Sequence, residues 1–118
     1  MAEMMGTAVV GSSKRVALVL PEFRTEKEFQ AAVLKLARSH GWLAFHTHDS
    51  RKSEAGFPDC VLLHPWRKPA IVAELKVGTN KCTAAQTAWL EAFRASGVRA
   101  YEWRPEQWAE IVKIIEGG

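Results

Sequence analysis

Cysteine is scarce: only Cys60 and Cys82 occur in 118 residues, and they form no CxxC pair. That spacing argues against a disulfide-framed secreted scaffold and against a thiol-rich zinc or redox site, so a reducing cytoplasm is the expected setting. Long apolar runs are also missing. The longest purely apolar run near the start, Val16 to Leu20, is too short to cross a bilayer and lies too far in for a signal-peptide core. Internal repeats and low-complexity stretches are absent, which argues against solenoids and arrays. The length leaves room for one core but not two.

What is present is ordinary in bulk and uneven in detail. With 47% apolar and 25% charged residues, composition fits a globular enzyme as well as a binding module. The net charge of +3 favours an anionic partner only weakly. Basic residues gather at Arg51 and Lys52, at Arg67 and Lys68, and at Lys76 and Lys81, in or beside expected loops. Solvated loops and phosphate contacts both fit that distribution.

Residues 1–20 read as an aperiodic tail with a short strand candidate at Val16 to Leu20, and residues 21–118 as one domain. Thr25 and Glu28 have capping-box spacing, and Phe29, Ala32, Val33, Leu36 and Ala37 then recur at helical period as far as His40-Gly41. Trp42 to His48 predicts a strand, and a polar loop follows into Gly56-Phe57-Pro58-Asp59. Asp59 to His64 and Ala70 to Val77 predict an antiparallel hairpin joined by Pro65 to Pro69. A second cap, Thr83 with Gln86, opens a helix whose expected apolar face is Ala85, Ala88, Trp89, Ala92 and Phe93. Gly97 ends it, Val98 to Trp103 returns as a strand, and Pro105 opens a last helix carrying Trp108, Ile111, Val112 and Ile115. The order α-β-β-β-α-β-α predicts an α/β domain with a mixed sheet of about four strands flanked by helices.

The chemistry concentrates on the second strand of the hairpin. Ala70 to Val77 is almost wholly apolar, which implies a sheet covered on both faces, yet it holds Glu74 and Lys76. Positions two apart share a strand face, so both groups point into one cavity. Alone, such a pair fits an internal ion pair or a strand end reaching water. Asp59 changes the balance: if residues paired across the hairpin have numbers adding to an odd value, Asp59 faces the same way as Glu74. Two carboxylates in a small space repel unless a proton or cation sits between them, and oxygen ligands without thiols suit Mg²⁺ or Mn²⁺. Glu26 shares the inward face of the first helix with Phe29, Gln30 and Val33, whereas Glu28 sits where the capping box uses it. Glu26 is therefore the candidate third acid, with a favourable first-turn charge as its alternative.

Glu26, Gly56-Phe57-Pro58-Asp59, Glu74-Leu75-Lys76 and Gln86, in this order and on these elements, resemble the PD-(D/E)XK nuclease superfamily in its VRR-Nuc (virus-type replication-repair nuclease) branch. The resemblance runs from about Thr25 to Trp108. It implies a restriction-endonuclease-like fold and a DNA endonuclease that uses Mg²⁺ or Mn²⁺ to hydrolyse phosphodiester bonds. By the same resemblance Asp59, Glu74 and the Leu75 carbonyl bind the metal, Glu26 supports them directly or through water, and Lys76 serves catalysis. Gln86 is either the family's glutamine or a capping residue, or both. Ser50, Arg51 and Lys52 before the Gly-Phe-Pro-Asp stretch, and Lys81 after the core strands, are the implied DNA contacts. Branched DNA, such as a flap or four-way junction in phage-type replication, recombination or repair, is the implied substrate. A homodimer acting in the cytoplasm, the host's if a phage encodes it, is the implied form. Two rivals stand beside this reading: a nuclease of the same superfamily without junction selectivity, and a non-catalytic nucleic-acid-binding module on the same fold.

His46 and His48 share a strand face and are expected at the surface or on DNA rather than as a metal site by themselves. Trp42, Trp89, Trp103 and Trp108 sit at core-like positions, whereas Trp66 lies at the hairpin tip.

Overall fold

The computed structural model describes residues 22–48 and 54–117. The tail, its strand candidate, and Ser50, Arg51 and Lys52 lie outside the described residues. Helix α1 spans Glu26–Ser39 and buries Phe29, Val33, Leu34 and Ala37. Its start departs from the full capping box. The Thr25 side chain accepts the Glu28 N–H, but the Glu28 carboxylate takes the Arg24 N–H rather than that of Thr25. The carboxylate thus satisfies a donor one residue farther out, leaving Glu28 facing solvent.

Strand β1 is Leu43–His46, shorter at both ends than the expected strand. Trp42 turns into the core, where its indole N–H donates to the Ile115 carbonyl. At the other end the Thr47 N–H donates to the Asp59 carbonyl, just beyond the last strand pair. Strand β2, Cys60–His64, and strand β3, Arg67–Leu75, form the hairpin. His64 pairs with Arg67, so the expected five-residue connection contracts to Pro65-Trp66, and Arg67 to Pro69 belong to the strand. After β3 the chain crosses through helix α2, Ala84–Ala95, and returns as strand β4, Arg99–Trp103, parallel to β3. Pro105 opens a 3-10 turn, Pro105–Gln107, before helix α3, Trp108–Gly117. The sheet order is β1-β2-β3-β4, antiparallel except for the last pair. This is the mixed four-stranded α/β arrangement that the residue pattern implies.

Strand alternation divides the core between two faces. Ile71, Ala73 and Leu75 of β3 pack with Phe29, Val33 and Ala37 of α1 and with Ile111 and Ile115 of α3. Val72 packs on the other face with Leu90 of α2 and Ala100 of β4. Both faces are therefore covered at β3, which explains its near-continuous apolar run. At β1 and β2 the second face is open: Leu43, Phe45 and Leu63 are exposed, with Leu43 directly opposite Leu63.

The expected apolar face of α2 needs correction. Leu90 is its buried residue, Trp89 and Phe93 are half-buried, and Ala85, Ala88 and Ala92 are exposed. The helix is rotated because its aromatic side chains lean on the loop before β2, where the Phe57 ring meets Trp89 and Phe93 edge-on. Trp42 and Trp103 are core residues, Trp89 and Trp108 are half-buried, and Trp66 is 86% exposed. Among the described residues no helix is long and apolar enough to cross a membrane.

Gly56 is fixed by that loop contact. Its φ is +84°, and a Cβ added there would lie 2.5 Å from the Ala85 carbonyl carbon. The left-handed backbone alone costs an L side chain roughly 1–2 kcal/mol, and the backbone clash adds to it. Gly56→Ala is expected to destabilise the protein by more than about 2 kcal/mol in denaturant titration; an unchanged midpoint would show that the loop is not pinned against α2.

Candidate active site

The β2–β3 register sets the site. Cys60 pairs with Ala73, Val61 with Val72 and Leu62 with Ile71, all odd sums, so Asp59 comes next opposite Glu74. Residues directly opposite in an antiparallel pair project to the same face. The Asp59 carboxylate is anchored there by the Leu75 N–H, which donates to Oδ2 at 2.9 Å. Its backbone is held from the other side, where the Thr47 N–H donates to the Asp59 carbonyl and the Thr47 hydroxyl to the Pro58 carbonyl. Pro58 is fully buried and removes a donor that this crowded turn has no partner for. The Trp89 indole donates to the Ala55 carbonyl, so α2 fixes the same turn from outside.

Glu74 is 2% exposed and Lys76 8%, and among the described residues these are the buried charged side chains. Glu74 Oε2 lies 3.6 Å from the Lys76 ammonium and accepts from Gln86 Nε2 at 2.9 Å. Gln86 also completes the α2 capping box, its Oε1 accepting the Thr83 N–H while its own N–H donates to the Thr83 hydroxyl. The two roles do not compete, because the cap uses the amide oxygen and Glu74 uses the amide nitrogen. Glu74 Oε1 is buried with no hydrogen-bond partner. An unsatisfied buried carboxylate oxygen is costly, so this atom marks a place for something more.

The electrostatics agree. Burial, with the Asp59 charge next in weight, raises the Glu74 carboxyl to about 8, and Lys76 offsets only part of that. Burial also raises Asp59, against the lowering effect of the Leu75 N–H. Two acids that both resist ionisation side by side fit a divalent cation, which would satisfy Oε1 and remove the repulsion. The donor set Asp59, Glu74 and a strand-end carbonyl is all oxygen, as Mg²⁺ or Mn²⁺ prefers. The Leu75 carbonyl leaves the strand on the same side as its N–H, toward Asp59.

Glu26 lines an open cleft of about 470 Å³ together with Gln30, His46, His48, Asp59 and Leu75. Its Oε2 accepts from Asn80 Nδ2 at 3.1 Å. Among the described residues no three His, Cys, Asp or Glu side chains gather as a metal-ligand cluster. Glu26 therefore shares this cleft with Asp59, with Asn80 as its hydrogen-bond partner. The His46 and His48 rings lie 4.2 Å apart at the cleft wall, nearer the acids than a general surface position. Lys81 is exposed on the loop after β3 and touches none of the acids.

Two contributors have no signal in the sequence pattern. Asn80 reaches Glu26 across 54 positions of chain. Arg104 holds the Asn80 loop, donating to the Gly78 and Asn80 carbonyls while forming an ion pair with Glu102 at 2.8 Å. Glu102 lies beside Glu74 in the sheet and also accepts from the Cys82 thiol. Spacing along the chain cannot reveal such contacts because a loop and a neighbouring strand create them. Burial and the neighbouring carboxylates push the Cys60 thiol up to about 12 and that of Cys82 to about 11, so neither is a ready nucleophile.

Because the folded-state Glu74 value lies above its ordinary 4.5, the folded chain binds more protons than the unfolded chain between about pH 4.5 and 8. Stability must then fall as pH rises through that window. With chelator present, the melting temperature is expected to drop between about pH 5 and 8, and to drop less in Glu74→Gln. Identical slopes for the two proteins would remove the buried-acid assignment.

Comparison with known proteins agrees with this geometry. The family model described as VRR-NUC domain matches residues 11–107. A solved structure, a VRR_NUC domain protein, is similar with a TM-score of 0.59 and 18% identity, over 80% of this chain and 88% of that one. At that identity the likeness speaks for the fold. No curated protein matches the sequence. A family match over most of the chain, joined to the mixed sheet and the acids at its end, carries the assignment: this chain belongs to the VRR-NUC domain family, a nuclease-type fold.

Proposed function

We propose that the chain is a Mg²⁺- or Mn²⁺-dependent endonuclease that hydrolyses DNA phosphodiester bonds, with branched DNA such as a flap or four-way junction as its preferred substrate. The observation that carries this reading is the facing pair Asp59 and Glu74, with one buried Glu74 oxygen unsatisfied and the Lys76 ammonium alongside. Asp59, Glu74 and the Leu75 carbonyl would hold the ion, and Glu26 would support it directly or through water. When bound, the ion supplies Lewis-acid polarisation of a phosphate oxygen and activation of the attacking water. The chain's own groups do the rest. Lys76 steadies negative charge developing on the phosphate, and its partner Glu74 keeps the ammonium in place. Gln86 holds the Glu74 carboxylate in one orientation, and the Leu75 N–H does the same for Asp59. The open cleft beside Glu26 would give a DNA backbone access to Asp59 and to the strand end at Leu75.

Branch selectivity and a homodimer belong to the same proposal. Symmetric cutting of a four-way junction needs two sites, and the exposed Leu43, Phe45 and Leu63 offer a second copy an apolar face. Cys60 and Cys82 are free thiols, as suits action in the cytoplasm. Ser50, Arg51, Lys52 and Lys81 are proposed to contact backbone phosphates, so binding should weaken steeply with salt.

Asp59→Asn and Glu74→Gln are expected to lower cleavage of labelled DNA by at least about a hundredfold while DNA binding persists. Glu26→Gln should cost more activity than Glu28→Gln, since Glu28 faces solvent. Near-normal cutting by either of the first two variants would reject the site. The second test compares linear, flapped, nicked and four-way substrates with Mg²⁺, Mn²⁺ or chelator, alongside sedimentation of the free protein. Equal cutting of all four substrates would remove branch selectivity, cutting in chelator would remove the metal, and a monomer at all concentrations would remove the dimer.

A further inference from the structure

The cleft beside the acids does not end at them. A second cavity of about 470 Å³ lies along the outer side of α1 and shares Lys27, Gln30 and His46 with the first. It is lined farther along by Lys35 and Arg38. From Lys27, a step of eleven residues reaches Arg38 after about three whole turns, and Lys35 lies about 80° round the helix from Lys27, so the three cations line one broad side of α1. The Arg38 guanidinium is fixed at the far end, where Nη2 donates to the Ala44 carbonyl of the edge strand β1 at 3.2 Å. The stripe ends beside the acids, since Lys27 also lines the cleft that holds Asp59.

We infer that the groove between α1 and β1 is a track for one DNA strand, in which Lys27, Lys35 and Arg38 bind backbone phosphates leading away from the bond at Asp59 and Glu74. The inference rests on the nuclease reading and adds a substrate path to it. Charge and length select the occupant. Eleven residues of helix span about 16 Å, and a B-form strand carries one phosphate per about 3.4 Å of axis, so the stripe runs beside about five phosphates. Long cationic side chains on a helix face suit repeated phosphates of any sequence and offer no fixed fork for reading base edges. The groove also answers an electrostatic need. Glu26 at the cleft wall repels an approaching polyanion, and cations along the entry path offset that repulsion.

The test is fluorescence anisotropy of fluorescein-labelled four-way DNA with the Asp59→Asn protein as parent, titrated at several salt concentrations. Lys35→Ala is added to that parent, and Lys113→Ala serves as the charge-matched control on α3, since Lys113 lines neither cavity. Alanine at an exposed helical site keeps the helix, and circular dichroism checks it. Lys35→Ala should weaken binding several-fold and reduce the slope of log K against log salt by about 0.9, with the double Lys27→Ala/Lys35→Ala variant losing about twice that. Lys113→Ala should leave the slope unchanged. Equal slopes for the Lys35 and Lys113 variants would overturn the track while leaving the nuclease reading in place. A parent that binds no DNA would overturn that reading and the track with it.

Discussion

The confrontation of two carboxylates across the β2–β3 ladder is the constraint on which the site depends. Asp59 and Glu74 are distant in sequence, and only the pairing of Cys60 with Ala73 makes them neighbours. A slip of one residue would send one acid to the opposite face of the sheet and leave each burying a charge alone. The apolar pattern prevents that slip. Ile71, Ala73 and Leu75 must face α1 and α3 while Val72 faces α2, so the packing that stabilises β3 also fixes where Glu74 points. Core packing and the geometry of the candidate site are thus two consequences of one register.

Helix α2 carries a second constraint. It contributes one buried residue, Leu90, to the core, yet several of its other contacts converge on the turn that presents Asp59. Gly56 lies against Ala85, the Ala55 carbonyl accepts from Trp89, and Phe57 packs on Trp89 and Phe93. One turn earlier, Gln86 reaches Glu74. The same helix therefore positions both acids, one through a loop and one directly.

Much of this was legible in the residues because it follows from periodicity. The order of elements, the hairpin and the shared face of Glu74 and Lys76 come from spacing two and spacing three to four, which survive in any packing. The double use of Gln86 was also foreshadowed, since cap and carboxylate need different atoms of one amide. Illegible parts had a different origin. The length of β1 depended on Trp42 finding a carbonyl in α3, and the rotation of α2 depended on aromatic contacts with a loop. Asn80 and Arg104 matter through a loop conformation that no local pattern encodes. The hairpin turn was placed too broadly because Pro65 to Pro69 resembles a loop by composition, whereas His64 and Arg67 already pair.

The cost of the arrangement argues for its purpose. Replacing a buried ion pair with well-packed apolar groups is often neutral or stabilising, so Glu74 and Lys76 gain the fold little by being charged. Glu74 keeps one oxygen without a partner and has a carboxyl that resists ionisation, while the neighbouring Asp59 resists it too. A core selected for stability alone would place a leucine or methionine there. Strain of this kind is concentrated where a site needs charge held ready in a dry, shaped environment, and the surrounding structure over-determines it. Here Gln86, the Leu75 N–H, Thr47 and the Arg104-held loop supply that over-determination. Gln86 constrains Glu74, the Leu75 N–H and Thr47 constrain the carboxylate and the backbone of Asp59, and the Arg104-held loop reaches Glu26 through Asn80.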